Sequence, residues 1–279
     1  MTSLDQSYTY CRRVARTRAK NFYYSFLLLE KPQRDAMCAI YAFMRYCDDL
    51  SDDASAGVTV ETMEKWRAGM VAALAGQFGD HPVWPAFADA ARRYRIPHDY
   101  FHNMIDGVSS DLTPRKIETF DELYRYCYQV ASVVGMTILH IFGFDDPRAL
   151  ELAEKCGVAF QLTNIIRDVR EDSDLGRRYI PAQDLSRFGA NPLSFCRTDG
   201  WVSALGFEAN RARAYYEESR PLIGMVSPKS RRSLWALIEI YWRLFQRIET
   251  SGFDVFEKRI RLSTIEKMRI LAEALVRNP

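Results

Sequence analysis

Gly157-Val-Ala-Phe-Gln-Leu-Thr-Asn-Ile-Ile-Arg-Asp-Val-Arg-Glu-Asp172 is the stretch on which the fold turns. Its apolar residues recur at helical spacing, and Gln161, Asn164, Asp168 and Asp172 fall on one stripe at intervals of three and four. Polar groups on an apolar helix face need partners, and carboxylates one turn apart repel each other. A cation between them removes both difficulties. A solvated face is the competing description, because Arg170, Glu171 and Asp174 share the segment. A second cluster, Arg45-Tyr-Cys-Asp48-Asp49-Leu-Ser-Asp52-Asp53, repeats the pattern at the end of another apolar stretch. Carboxylates there oppose the helix dipole. Taken alone, that cluster also reads as a frayed helix end ahead of Ala54-Ser-Ala-Gly57.

Outward from these stretches, helical periodicity continues. It predicts helices over 4–19, 33–53, 59–77, 84–95, 98–112, 119–142, 147–171, 198–224, 229–250 and 263–277. Residues 174–191, with Gly176, Pro181 and Gly189, read as a loop with room for a short helix. Strand-like alternation, repeats and linkers are absent, so residues 1–279 are expected to form one all-α domain. Two long apolar helices carrying the acidic clusters would place them over a hydrophobic cavity, as in helical bundles that build sites from facing helices.

The 279 residues are 48% hydrophobic and 27% charged, with a net charge of +2. That is core enough for one large domain, and it gives no electrostatic footprint for nucleic acid. Six cysteines without a C-x-x-C pair, most of them in apolar stretches, read as reduced thiols. No signal peptide and no run of ~18 apolar residues is present. A cytoplasmic protein is the expectation, with peripheral contact at the inner membrane face left open.

Hard divalent cations take oxygen ligands. A di-iron bundle would need Glu-x-x-His pairs, and none precedes His81, His98, His102 or His140. An EF-hand loop is also missing. Helical carboxylate pairs beside Arg45, Arg167, Arg177 and Arg178 suit diphosphate bridged by Mg²⁺, with Mn²⁺ the alternative ion.

Five stretches then carry a resemblance: Asn21 to Phe26, Ala39 to Asp49, Tyr126 to Gly135, Gly157 to Asp172 and Gly176 to Pro181. In order and spacing they resemble the squalene/phytoene synthase family, the head-to-head trans-prenyltransferases, along nearly the whole chain. The resemblance implies the all-α isoprenoid-synthase bundle around a central hydrophobic cavity, and condensation of two allylic diphosphates. It assigns Asp48, Asp49 and Asp52 to one metal site and Asn164, Asp168 and Asp172 to the other. Arg45, Gln161, Arg167, Arg177 and Tyr179 would bind substrate and its phosphates. Phe22, Tyr41, Tyr126 and Tyr241 would face the reacting carbons, Tyr126 nearest the proton that is lost. Phe26, Phe43 and Phe160 are further candidates for the aromatic lining, with ordinary core packing the alternative.

Three positions depart from the family pattern: Asn21 for a serine, Ser132 for a glycine and Arg170 for a glycine. They bear on subfamily. Chain length and the Phe-Tyr-Tyr-Ser-Phe segment look most like presqualene diphosphate synthases of hopanoid pathways, acting on farnesyl diphosphate. The alternative is a phytoene synthase acting on geranylgeranyl diphosphate, or a dehydrosqualene synthase, in carotenoid synthesis. No G-x-G-x-x-G is present, which leaves NADPH use open. A downstream reductase or desaturase partner is likewise open. A terpene cyclase, a head-to-tail chain-elongating synthase and a non-enzymatic helical scaffold are the competing classes. The scaffold leaves two inward acidic stripes unexplained.

Overall fold

A computed structural model describes residues 2–19, 22–52, 59–113, 115–193 and 196–277, with the side chains of Ser51 and Asp52 outside that description. Asn21 and Asp53 also lie outside it. The helices are α1 (Leu4–Arg18), α2 (Phe22–Phe26), α3 (Lys31–Asp52), α4 (Val60–Leu74), α5 (Trp84–Arg93), α6 (His98–Ser109) and α7 (Phe120–Cys127). They continue with α8 (Val133–Phe142), α9 (Arg148–Asp174), α10 (Ala182–Arg187), α11 (Asp199–Ser219), α12 (Leu222–Met225), α13 (Pro228–Thr250) and α14 (Thr264–Val276). No strand forms among the described residues; two isolated bridges join Lys116 to Arg178 and Phe144 to Val226.

The chain folds as an all-α bundle. The 27-residue α9 is its axis, packed along α11 and α8. On the other side, α3 packs on α1 and α5, and α13 packs on α2, α14 and α9. Phe43, a candidate cavity residue from sequence, turns instead into an aromatic cluster. Its ring lies 4.3 Å from Phe87, 5.6 Å from Phe101 and 5.7 Å from Trp66. Cys11, Cys38, Cys47, Cys127 and Cys156 are buried and unpaired, and Cys196 is exposed.

Three local features depart from the sequence expectation. Residues 22–26 form a short helix of their own. The expected helix over 198–224 breaks at Arg220-Pro221, because proline cannot continue the hydrogen-bond ladder. The expected helix over 119–142 contains a π-helical turn, Tyr128–Ser132, between α7 and α8. Two glycines hold that turn. A Cβ on Gly107 would stand 2.8 Å from the side chains of Gln129 and Val130, and one on Gly157 would stand 2.6 Å from the Ser132 Cα. Ser132 is fully buried, and its hydroxyl donates to the Glu154 carbonyl at 2.8 Å. Ser132 thus fits because α9 offers a bare backbone opposite it.

Candidate active site

A cavity of ≈ 440 Å³ lies between α2, α3, α6, α8, α9 and α13. Its lining grades from apolar to charged along each of two helices. On α3, Met37, Ile40 and Met44 give way to Arg45 and Asp48; on α9, Ala153, Cys156 and Phe160 give way to Asn164, Asp168 and Asp172. From Ala153 to Asp168 this wall extends about 22 Å at helical rise. The result is a long greasy slot with an acid- and arginine-lined end, a shape for an amphiphile with an anionic head.

The structure brings together nearly every residue that the sequence singled out. Phe22, Tyr41, Arg45 and Asp48 line the slot from α2 and α3, and Tyr126 from α7. Gln161, Asn164, Arg167, Asp168 and Asp172 line it from α9; Arg177, Tyr179 and Tyr241 complete it. Phe26 and Phe160 also line it, the latter stacked on Tyr241 at 4.1 Å with an interplanar angle of 5°. Asp49 does not. Its side chain is 40% exposed and ion-paired with Arg18, at 2.7 Å, and with Arg45. The side chain of Asp52 lies outside the described residues. Arg170 points outward and pairs with Asp174 at 3.2 Å.

Sequence reasoning missed Asp111. The Tyr126 hydroxyl donates to its Oδ2 at 2.8 Å and the Tyr179 hydroxyl to its Oδ1 at 2.7 Å. The two phenol rings are stacked 4.6 Å apart, and the Arg115 guanidinium lies 4.9 Å over the Tyr126 ring. Burial raises the Asp111 carboxyl, an effect that the two phenol hydrogen bonds, Arg177 and Arg115 counter. Both phenols are pushed upward by burial and by that carboxylate, so they are neutral donors at ordinary pH. Asp111 sits in a 3-10 turn, Ser110–Leu112, directly after α6, at the end of the helix that periodicity predicts over 98–112, where a lone polar residue reads as a solvated helix end. Only the buried position of Tyr126, whose hydroxyl must find a partner, could have signalled it.

Arg259 was also missed. It pairs with Asp168 at 2.9 Å and with Glu171 at 2.5 Å. Arg167, itself 8% exposed, pairs with the same Asp168 at 2.5 Å. The loop that presents Arg177 is set by Gly176, whose φ of +72° ends α9 in a left-handed turn that favours glycine. The Arg177 amide then caps the Asp172 carbonyl at 2.8 Å. Parallel to it, Arg178 donates its amide to the Arg115 carbonyl at 2.9 Å, and Ala182 donates to Ile117 at 2.9 Å. The segments bearing Asp111 and Tyr179 are thereby tied side by side.

The donor set fits Mg²⁺. Asp172 is pushed up to about 8, first by burial and then by the charge of Asp168, with Arg177 opposing. The Asn164 Oδ1 is buried without a hydrogen-bond partner. A divalent cation relieves both, and all the candidate donors are oxygens. Among the described residues no three His, Cys, Asp or Glu side chains close into a ready-made ligand cluster.

The squalene/phytoene synthase family profile matches residues 15–266. A 15-cis-phytoene synthase of Synechococcus elongatus is 32% identical over 293 residues, spanning 99% of this chain and 95% of that one. A phytoene synthase of Mycobacterium tuberculosis is 35% identical over 284 residues, spanning 99% and 92%. Among solved structures, a dehydrosqualene synthase in complex with ligand superposes with a TM-score of 0.89 at 27% identity, covering 98% of this chain and 96% of that one. Squalene synthase HpnC from Alicyclobacillus acidocaldarius superposes with a TM-score of 0.83 at 28% identity, covering 90% and 95%. With this bundle, this slot and these relatives, the chain belongs to the squalene/phytoene synthase family and is a prenyltransferase.

Proposed function

We propose that the protein condenses two molecules of geranylgeranyl diphosphate head to head to give phytoene. The observation that carries the C20 reading over the farnesyl reading is the pair of phytoene synthases matched at 32% and 35% identity over 99% of the chain. The hopanoid assignment suggested by the Phe-Tyr-Tyr-Ser-Phe segment gives way to it. The dehydrosqualene synthase and HpnC likenesses keep the C15 substrate as the alternative.

In this reading Asp48 and Asp52 on one side, and Asn164, Asp168 and Asp172 on the other, hold Mg²⁺. When bound there, the metal would supply positive charge to offset that of a departing diphosphate. Arg45, Arg167, Arg177 and Arg259 supply fixed positive charge around the same oxygens. The apolar slot keeps water from the allylic cation, and the faces of Phe22, Tyr41, Phe160 and Tyr241 contribute about 0.5–2 kcal/mol each where they meet positive charge. Tyr126, anchored through Asp111, stands where a proton leaves. Phytoene formation ends on proton loss, so it needs no reductant, and NADPH falls away.

Chain length is tested by product analysis. Purified protein with Mg²⁺ is given geranylgeranyl or farnesyl diphosphate, with and without NADPH, and products are identified by mass spectrometry before and after phosphatase. Phytoene from the C20 substrate alone is expected. A C30 hydrocarbon or cyclopropyl alcohol, with no C40 product, would overturn the C20 assignment and leave the family chemistry standing.

A further inference from the structure

Helix α14 is apolar on two faces, and the fold covers only one. Ile270, Leu271 and Ala274 are buried against α13 and α2. On the opposite side, Ile265 is 66% exposed, Met268 50%, Leu275 57% and Val276 89%, with exposed Ala272 between them. Positions 265, 268, 272, 275 and 276 recur at three and four, so they form one stripe along a helix about 20 Å long. A surface helix normally presents charge on its outer face. One that is apolar on both sides has a second apolar environment to meet.

The charge around the stripe says which. The acids of α14 are neutralised from within: Glu266 pairs with Arg247 and Glu273 with Arg243. Arg269, beside Met268 on the outer face, and Arg261, just ahead of the helix, are exposed and make no ion pair among the described residues. Exposed Arg277 closes the far end. Arg277 also lies over the Trp235 ring at 5.1 Å, which leaves Arg261 and Arg269 as the unpaired charges. An aliphatic stripe rimmed by such exposed arginines is the arrangement of a helix lying in the plane of an anionic bilayer. There the side chains enter the acyl boundary and the guanidinium groups snorkel to headgroup phosphates. A second copy of the chain is a poorer occupant, because a two-fold contact through this stripe would bring Arg269 near its own mate. Thirteen residues are too few to cross a membrane, and no helix among the described residues is long and apolar enough to do so.

We propose that the outer face of α14 is a docking surface for anionic lipid bilayers. The inference does not depend on which prenyl diphosphate the cavity takes. It would bring the cavity close to the bilayer, because α2 and α13, against which α14 packs, supply cavity residues Phe22, Phe26, Leu234 and Tyr241.

The test is flotation of the full chain with vesicles of phosphatidylcholine alone or mixed with phosphatidylglycerol. Wild type is expected to float with the anionic vesicles, less so as salt rises, and to stay behind with the neutral ones. The Ile265→Glu/Met268→Glu variant is expected to bind at least about tenfold more weakly, with wild-type turnover in detergent micelles and an unchanged melting temperature. Should that pair disturb folding, Val276→Ser serves instead and is expected to bind about threefold more weakly. Wild type that floats with neither vesicle would overturn the proposal, as would a Glu variant that floats as well as wild type. A vesicle-free dimer that Ile265→Glu/Met268→Glu dissociates would assign the stripe to a second copy and overturn it too.

Discussion

Asp111 shows what a single residue does in this site. Its two oxygens accept from Tyr126 and Tyr179, at 2.8 and 2.7 Å. Asparagine keeps the shape but offers only one accepting oxygen. Asp111→Asn is therefore expected to lose one charge-assisted bond, about 1.5–3 kcal/mol of stability, and with it the anchoring of one of the two phenols, so turnover falls as well. Urea unfolding checks the first and steady-state kinetics the second, and wild-type values of both would remove Asp111 from the site. Asp168→Asn should abolish turnover and leave the fold intact, as circular dichroism would report. Asp172 adds a pH dependence. Its folded pKa lies above the ordinary 3.8, at about 8, so the folded chain holds a proton there that the unfolded chain releases. Stability from this group is present below 3.8 and is lost as pH rises towards about 8. Mg²⁺ with a non-ionisable substrate analogue should expel that proton. Calorimetry in buffers of different ionisation enthalpy should detect the release near neutral pH, with binding weakening on acidification. Acids and arginines on the helix stripes were legible from spacing alone. Asp111, Arg115 and Arg259 were not, because none belongs to a polar stripe at helical spacing; Asp111 and Arg259 meet Tyr179 and Asp168 only through the tertiary fold.

At the scale of elements, period reported the long helices and failed where tertiary contact sets the backbone. The stripe on α9 and the apolar face of α3 survive intact. The π-turn Tyr128–Ser132 leaves no trace in hydrophobic pattern, since it exists where Gly107 and Gly157 let neighbouring helices close on it. Gly157→Ala tests the contact. Its Cβ would meet Ser132 backbone at 2.6 Å, which neither side can yield cheaply. The expected loss is about 1–3 kcal/mol in urea unfolding, together with impaired turnover, because Tyr126 leads into the turn. Unchanged stability would mean that the helices part without strain. Asp49 teaches the converse lesson: the family resemblance assigned it to a metal site beside Asp48, yet successive helical residues point about 100° apart, and Asp49 lies outside the slot, paired with Arg18 and Arg45.

Across the whole molecule, Arg211 on α11 ties together α7, which carries Tyr126, and α10, which follows Tyr179. Arg211 lies 4.2 Å over the Phe120 ring and 4.3 Å over Phe207, and pairs with Asp184 and Glu208 at 2.6 Å each. Glu208 is fully buried, and burial pushes it up to about 8. Arg211→Ala would leave two acids facing each other without a cation. The cost for a buried pair is about 3–5 kcal/mol; with Arg211 23% exposed, about 2–3 is expected in denaturant unfolding. The central claim concerns what the slot does, and isotope retention tests it most directly. Geranylgeranyl diphosphate carrying two deuteriums on C1 is incubated with the protein and Mg²⁺, and the C40 product is weighed. Head-to-head coupling ending in a central double bond predicts that each former C1 keeps one deuterium and loses one. A product that retains every deuterium, or no C40 product at all, would contradict the account.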